Sequence, residues 1–81
     1  MNQAILFNDD ARYDEESGTL QFTAMSMGMM ISCVVKLDGF TQSAAIEHFT
    51  QYRFDYEQQA EDLIADEEFT ATGQVLLQPC R

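Results

Sequence analysis

Residues 41–67 read TQSAAIEHFTQYRFDYEQQAEDLIADE, and the whole interval from Gly39 to Gly73 has no other glycine and no proline. Within it Ala45, Ile46, Phe49, Tyr52, Tyr56, Ala60, Leu63 and Ile64 recur at helical spacing. At about 100° per residue they fall in an arc of roughly 120°, the stripe that a surface helix buries. The spacing predicts one long helix from about Thr41 to Glu67. At about 1.5 Å per residue it would be roughly 40 Å long, against about 30 Å for a compact domain of this size. The helix must therefore overhang, bend or break. Asp55 with Gln58 three residues later would cap a second helix, so one helix and two remain open.

Working outward, Thr19 to Leu37 predicts a β-hairpin. With Met27-Gly28 as a two-residue loop, antiparallel pairing sets Ser26 opposite Met29, Ala24 opposite Ile31, Phe22 opposite Cys33 and Leu20 opposite Val35. Those residues share the core face. The opposite face carries Gln21, Thr23, Met25, Met30, Ser32, Val34 and Lys36. A slip of one residue would exchange the faces, so the register is well specified. Ile5-Leu6-Phe7 reads as a short strand and Arg12-Tyr13-Asp14 as a short extended piece. Glu15-Glu16-Ser17-Gly18 turns that piece into the hairpin. Gly73 to Leu77 reads as a last strand ended by Pro79. The expected fold is α+β in two layers: an antiparallel sheet of about four strands on one long, kinked or split helix, in the order β-β-β-α-β.

The chain has 81 residues, which is one domain spanning 1–81. Fourteen Asp and Glu face four Lys and Arg, for a net charge of −10. This field has the wrong sign for a nucleic acid or an anionic membrane surface, and no basic cluster offsets it. The N-terminal Met1 to Asp10 lacks the pattern of a signal peptide. No apolar run approaches the roughly 20 residues of a membrane helix. A cytoplasmic location is the default expectation, with Cys33 and Cys80 as free thiols. Cys33 is expected in the core and Cys80 in a loose tail with Arg81 as its only neighbouring base.

No phosphate loop, nucleophile elbow or paired metal-ligand motif is present, so no cofactor, metal or catalytic residue is assigned. His48 is the only histidine and falls on the polar side of the predicted helix, near Tyr52 and Asp55. Arg53 lies inside the apolar arc. It is read as a structural ion pair with Glu57 one turn on, and as a ligand or enzymatic site only if that pair is absent. Phe54 points away from the stripe on an unbroken helix. It either anchors a partner or packs at a helix break. Met25, Met30 and Val34 form an apolar patch on the second hairpin face, which suggests self-association or a partner contact. Asp9, Asp10, Asp14, Glu15 and Glu16 form a first acidic cluster, and Asp55, Glu57, Glu61, Asp62, Asp66, Glu67 and Glu68 a second, from which Asp62 and Asp66 are taken as candidate contact residues. The second cluster is either a solvated face or a docking surface for a basic protein, including mimicry of a phosphate backbone. The leading expectation is a non-enzymatic protein-interaction module, homodimeric through the methionine face or an edge strand. The alternative is an acidic regulator of a basic partner.

The residues also resemble the bacterial domain-of-unknown-function 1488 family. The likeness runs through Ile5-Leu6-Phe7, Tyr13-Asp14 and Gly28 to Cys33. It is most specific from Phe49 to Ile64 (Phe49, Tyr52-Arg53, Tyr56, Ala60, Ile64) and ends on Gly73 and Val75 to Leu77. The resemblance implies a small α+β domain with an antiparallel sheet and a helix. It implies no activity. The family pattern has His where this chain has Tyr52.

Overall fold

A computed structural model describes residues 5–80. Its elements are β1 (Ile5–Phe7), β2 (Arg12–Asp14), β3 (Thr19–Ser26), β4 (Met29–Lys36), α1 (Gln42–Gln51), α2 (Arg53–Ala65) and β5 (Val75–Leu77). The fold is α+β, with both helices on one face of a five-stranded sheet.

The hairpin forms in the expected register, with Ser26 opposite Met29, Ala24 opposite Ile31, Phe22 opposite Cys33 and Leu20 opposite Val35. Its loop has φ of 52° at Met27 and 78° at Gly28. Two positive values are the signature of the turn whose twist matches a hairpin, and they make Met27 an unusual occupant. Strict alternation along β3 buries Leu20, Phe22, Ala24 and Ser26.

β1 and β2 pair with the same edge of β3, at opposite ends. Four residues (8–11) stand opposite two on β3, so the pair behaves as one strand with a wide bulge. Asp10 fills the gap, accepting from the Thr23 amide (3.0 Å) and hydroxyl (2.6 Å). Burial would raise the Asp10 carboxyl pKa, but the hydrogen bonds it accepts, led by those from Thr23, together with the Arg12 charge outweigh it and lower it.

The helical stretch is divided, with the break at Tyr52 rather than at Asp55. Tyr52 has φ −106° and ψ 21° and supplies no side-chain cap. Backbone bonds still run across it, from the Tyr52 amide to the His48 carbonyl and from the Tyr56 amide to the Tyr52 carbonyl (both 3.0 Å). The feature is a kink. The Thr50 hydroxyl donates to the Ile46 carbonyl one turn back (2.9 Å), a bond that bends helices. Asp55 lies in the first turn of α2, where its charge suits the helix dipole. Gln58 donates to Asp62 rather than completing a cap. The apolar stripe keeps phase through the kink: Ala45, Phe49, Tyr56, Ala60 and Ile64 are buried against the sheet, and Ile46, Tyr52 and Leu63 pack at its margin.

The last strand pairs with β4 in parallel, Cys33 beside Val75 and Val35 beside Leu77. The sheet is thus antiparallel with one parallel member. The two helices supply the long crossover that a parallel neighbour needs. The α1 N-terminus is capped twice. The Thr41 hydroxyl accepts from the Ala44 amide (3.2 Å), and the Glu15 carboxylate accepts from the Gln42 amide (2.7 Å). No helix among the described residues is long and apolar enough to cross a membrane.

Candidate functional site

The outer sheet face is not covered by either helix. Cross-strand pairing sets Leu6, Met25 and Met30 in one row. Arg12, Gln21, Val34 and Leu76 form another. Met25 and Val34 are half-buried, Met30 is 61% exposed, and Leu6 and Leu76 stand out as well. The patch of Met25, Met30 and Val34 is therefore present and is extended at each edge of the sheet by a leucine. Thr23 and Ser32 separate the two rows. Asn8 donates from Nδ2 to the Thr23 hydroxyl (2.7 Å), so part of the polar strip is tied up internally.

Arg53 is held from two sides. Its Nε donates to Glu57 at 2.9 Å, its Nη1 lies 3.5 Å from Asp9, and its guanidinium carbon sits 5.9 Å from the centre of the Phe49 ring. The hydrogen bond from Nε to Glu57 leads the effects that raise its pKa, ahead of the opposing desolvation. The i,i+4 pair with Glu57 thus accounts for this cation on the edge of the stripe. Phe54 is 82% exposed, although the helix does break beside it. The break comes before Phe54, which leaves it on the solvent side of the first turn of α2. The Asp62 carboxylate is exposed and accepts from Gln58; Asp66 closes α2 and is exposed.

A cluster that the sequence reading did not assemble lies between the helices and the C-terminal segment. The Tyr56 side chain is fully buried, with its hydroxyl 2.7 Å from His48 Nε2. The same hydroxyl accepts from the Cys80 amide at 2.9 Å. The His48 ring packs between Phe40 and Tyr52, with centroids at 5.3 and 4.8 Å. Burial lowers the His48 pKa, so the neutral ring is favoured, and it shares a hydrogen bond with the Tyr56 hydroxyl through Nε2. Burial raises the Tyr56 pKa. It raises that of Cys80 too, whose sulfur accepts from Gln59 at 3.6 Å. Gln59 also accepts from the Gln78 amide (2.8 Å) and donates to its carbonyl (3.0 Å), clamping the end of β5. Cys80 is therefore a seated residue rather than part of a loose tail. Arg81, the base expected beside it, lies outside the described residues. His48, Tyr52 and Tyr56 are spaced by four, which is a legible signal. The partner at Cys80 is not, because 24 residues separate it from Tyr56. Cys33 is wholly buried, as expected, and desolvation followed by the nearby Asp10 charge pushes its thiol pKa up to about 12. No group of His, Cys, Asp and Glu among the described residues is placed to hold a metal ion.

Residues 5–77 of this sheet-and-kinked-helix chain match the family described as protein of unknown function (DUF1488). The chain belongs to that family. Its relatives include uncharacterized protein YrdB of Escherichia coli (strain K12), 33% identical over 84 residues, covering 95% of this chain and 99% of that protein. YrdB of Shigella flexneri is 32% identical over the same shares. A crystal structure of a DUF1488 protein of unknown function from Shewanella loihica PV-4 superposes with a TM-score of 0.86 at 32% identity, covering 95% of this chain and 94% of that one. In this DUF1488 chain, the kinked helices, the two-residue hairpin loop and the returning strand β5 all fall inside the matched region or end it.

Proposed function

We propose that this chain is a protein-interaction module that associates with a second copy through its outer sheet face, with no catalytic step of its own. The observation that carries this reading is the apolar row Leu6-Met25-Met30 together with the apolar half, Val34-Leu76, of the second row, on the face the helices leave bare. Antiparallel sheets tolerate one solvated face, but such a face normally alternates to polar residues. Charge favours the same face. Two copies at −10 repel each other, and of the three Lys and Arg among the described residues Arg12 lies in the second row and Lys36 on the same face one row further on, opposite Thr19. The second acidic cluster sits on the helical layer instead. The sheet edges are poorer candidates. Asp10 plugs the bulged edge at β3, and β5 is three residues long with its exit clamped by Gln59. The ligand reading of Arg53 has no support, since Glu57 and Asp9 occupy it.

The expected affinity is modest. Four strand positions about 4.8 Å apart and about eight residues of about 3.3 Å give a face of roughly 500 Å². A pair would bury about 1,000 Å², the lower end for specific association. Light scattering across a concentration series tests the proposal. Mass should rise toward a dimer at high concentration, rise further with salt as repulsion is screened, and stay monomeric in Met30→Glu. A wild-type protein monomeric at every concentration and salt level ends the reading.

A further inference from the structure

Beside the hairpin tip, the end of α2 leaves a groove of about 190 Å³. Ile31 and Ile64, both buried, form its floor, and Met27, Met29 and Phe69 stand around it. Met27 is 84% exposed and Met29 61%. Glu67 completes the rim, flanked in the chain by Asp66 and Glu68. None of these three carboxylates pairs with a cation among the described residues.

Glu67 stands there against two local preferences. It has φ 57°, in the position after a helix that glycine usually takes. The Glu67 amide donates to the Ile64 carbonyl and the Glu68 amide to the Leu63 carbonyl, closing the helix around it. It also adds negative charge at the negative end of the helix dipole, where no basic residue compensates. Met27 is likewise a methionine at positive φ, where Asn or Gly would suit the turn better. Both residues that line the groove at a conformational cost supply what a binding groove needs, an adaptable apolar wall and an acidic rim.

We propose that this groove docks a basic amphipathic segment of another protein. Its apolar side chains enter between Met27, Met29 and Phe69, and its Lys or Arg residues face Asp66, Glu67 and Glu68. The chain does not supply such a segment to a second copy, because its four Lys and Arg are dispersed at Arg12, Lys36, Arg53 and Arg81. The approach is favoured at long range by the net charge of −10. The groove opens on the helical side of the hairpin tip, away from Met30, so it stands independently of self-association through the outer face.

Calorimetric titration with a short Leu/Lys amphipathic peptide tests this, beside an oligolysine of equal charge and a Leu/Glu analogue. The Leu/Lys peptide should bind, more weakly as salt rises. The other two should bind about tenfold more weakly or worse. Met29→Glu and Met27→Asn should each weaken binding about tenfold, and Glu67→Gln about two- to fivefold. Met27→Asn guards against a trivial loss of folding, since Asn favours the turn and its Tm should rise while binding falls. Met30→Glu should keep full peptide binding whether or not it abolishes self-association. Absence of Leu/Lys binding, equal binding of oligolysine, or wild-type affinity in both Met27→Asn and Met29→Glu overturns the proposal.

Discussion

Replacing Glu67 with glycine should make the protein more stable. The residue follows α2 at φ 57° and closes its last turn through the amides of Glu67 and Glu68. A left-handed conformation costs an L-residue about 1–2 kcal/mol relative to glycine. Glycine gives back about 0.4–1 kcal/mol by loosening the unfolded chain. Removing a carboxylate from the negative end of the helix dipole adds about 0.3–1 kcal/mol at low salt. The exposed Glu67 side chain makes no hydrogen bond or ion pair among the described residues, so little is lost against these gains. The balance is about 1 kcal/mol in favour of Glu67→Gly, which for a domain this small is about 4–8 °C in Tm. Thermal unfolding followed by circular dichroism, at low and at molar salt, separates the two contributions. Glu67→Gln reports the charge alone and should lose its advantage at high salt. Glu67→Gly should keep the backbone part in both conditions. If Glu67→Gly melts at or below the wild-type temperature, the assignment of strain at this cap is wrong.

Three other outcomes follow from the helix core and the turn before β3. Tyr56→Phe leaves the Cys80 amide and His48 without their shared partner and should cost about 1–3 kcal/mol in urea unfolding; a neutral result would mean that water replaces the hydroxyl. His48, whose pKa is lowered by burial from 6.5, stabilises the fold fully above about pH 6.5 and loses that contribution as pH falls through its folded value. An NMR titration should find the ring titrating below 6.5, and His48→Gln should flatten the difference in stability between neutral and mildly acidic buffer; a ring titrating at or above 6.5 contradicts the half-buried, neutral assignment. Gly18→Ala should destabilise by about 1 kcal/mol or more, since Gly18 has φ 69° and an added methyl would meet the Asp38 carboxylate; an unchanged Tm would show that Asp38 moves aside freely.

Much of the fold was legible because it rests on periodicity. Alternation with a two-residue loop specified all four core pairs of the hairpin, since any slip would expose Phe22 and Cys33. The 45-49-56-60-64 stripe located the helical layer, and its excessive length signalled a break. The residue at which it breaks was not legible, because the bend uses Thr50 bonding back to Ile46 rather than a Gly or Pro. Of the site residues, the methionine patch followed from strand parity, and Arg53 with Glu57 from helical spacing. The groove did not, because it needs Met27 and Met29 brought beside Phe69.

Composition and pattern alone therefore determined the class of fold, the hairpin register, which faces turn inward, and a net charge of −10. Tertiary structure decided the parallel return of β5, the seat of Cys80 on Tyr56, the Glu15 cap on α1 and the acid-rimmed groove. The division has one physical cause. Periodicity tells each residue which way to face, through interactions a few positions long. Choosing which distant segment it then meets depends on how whole layers pack, and no local pattern encodes that.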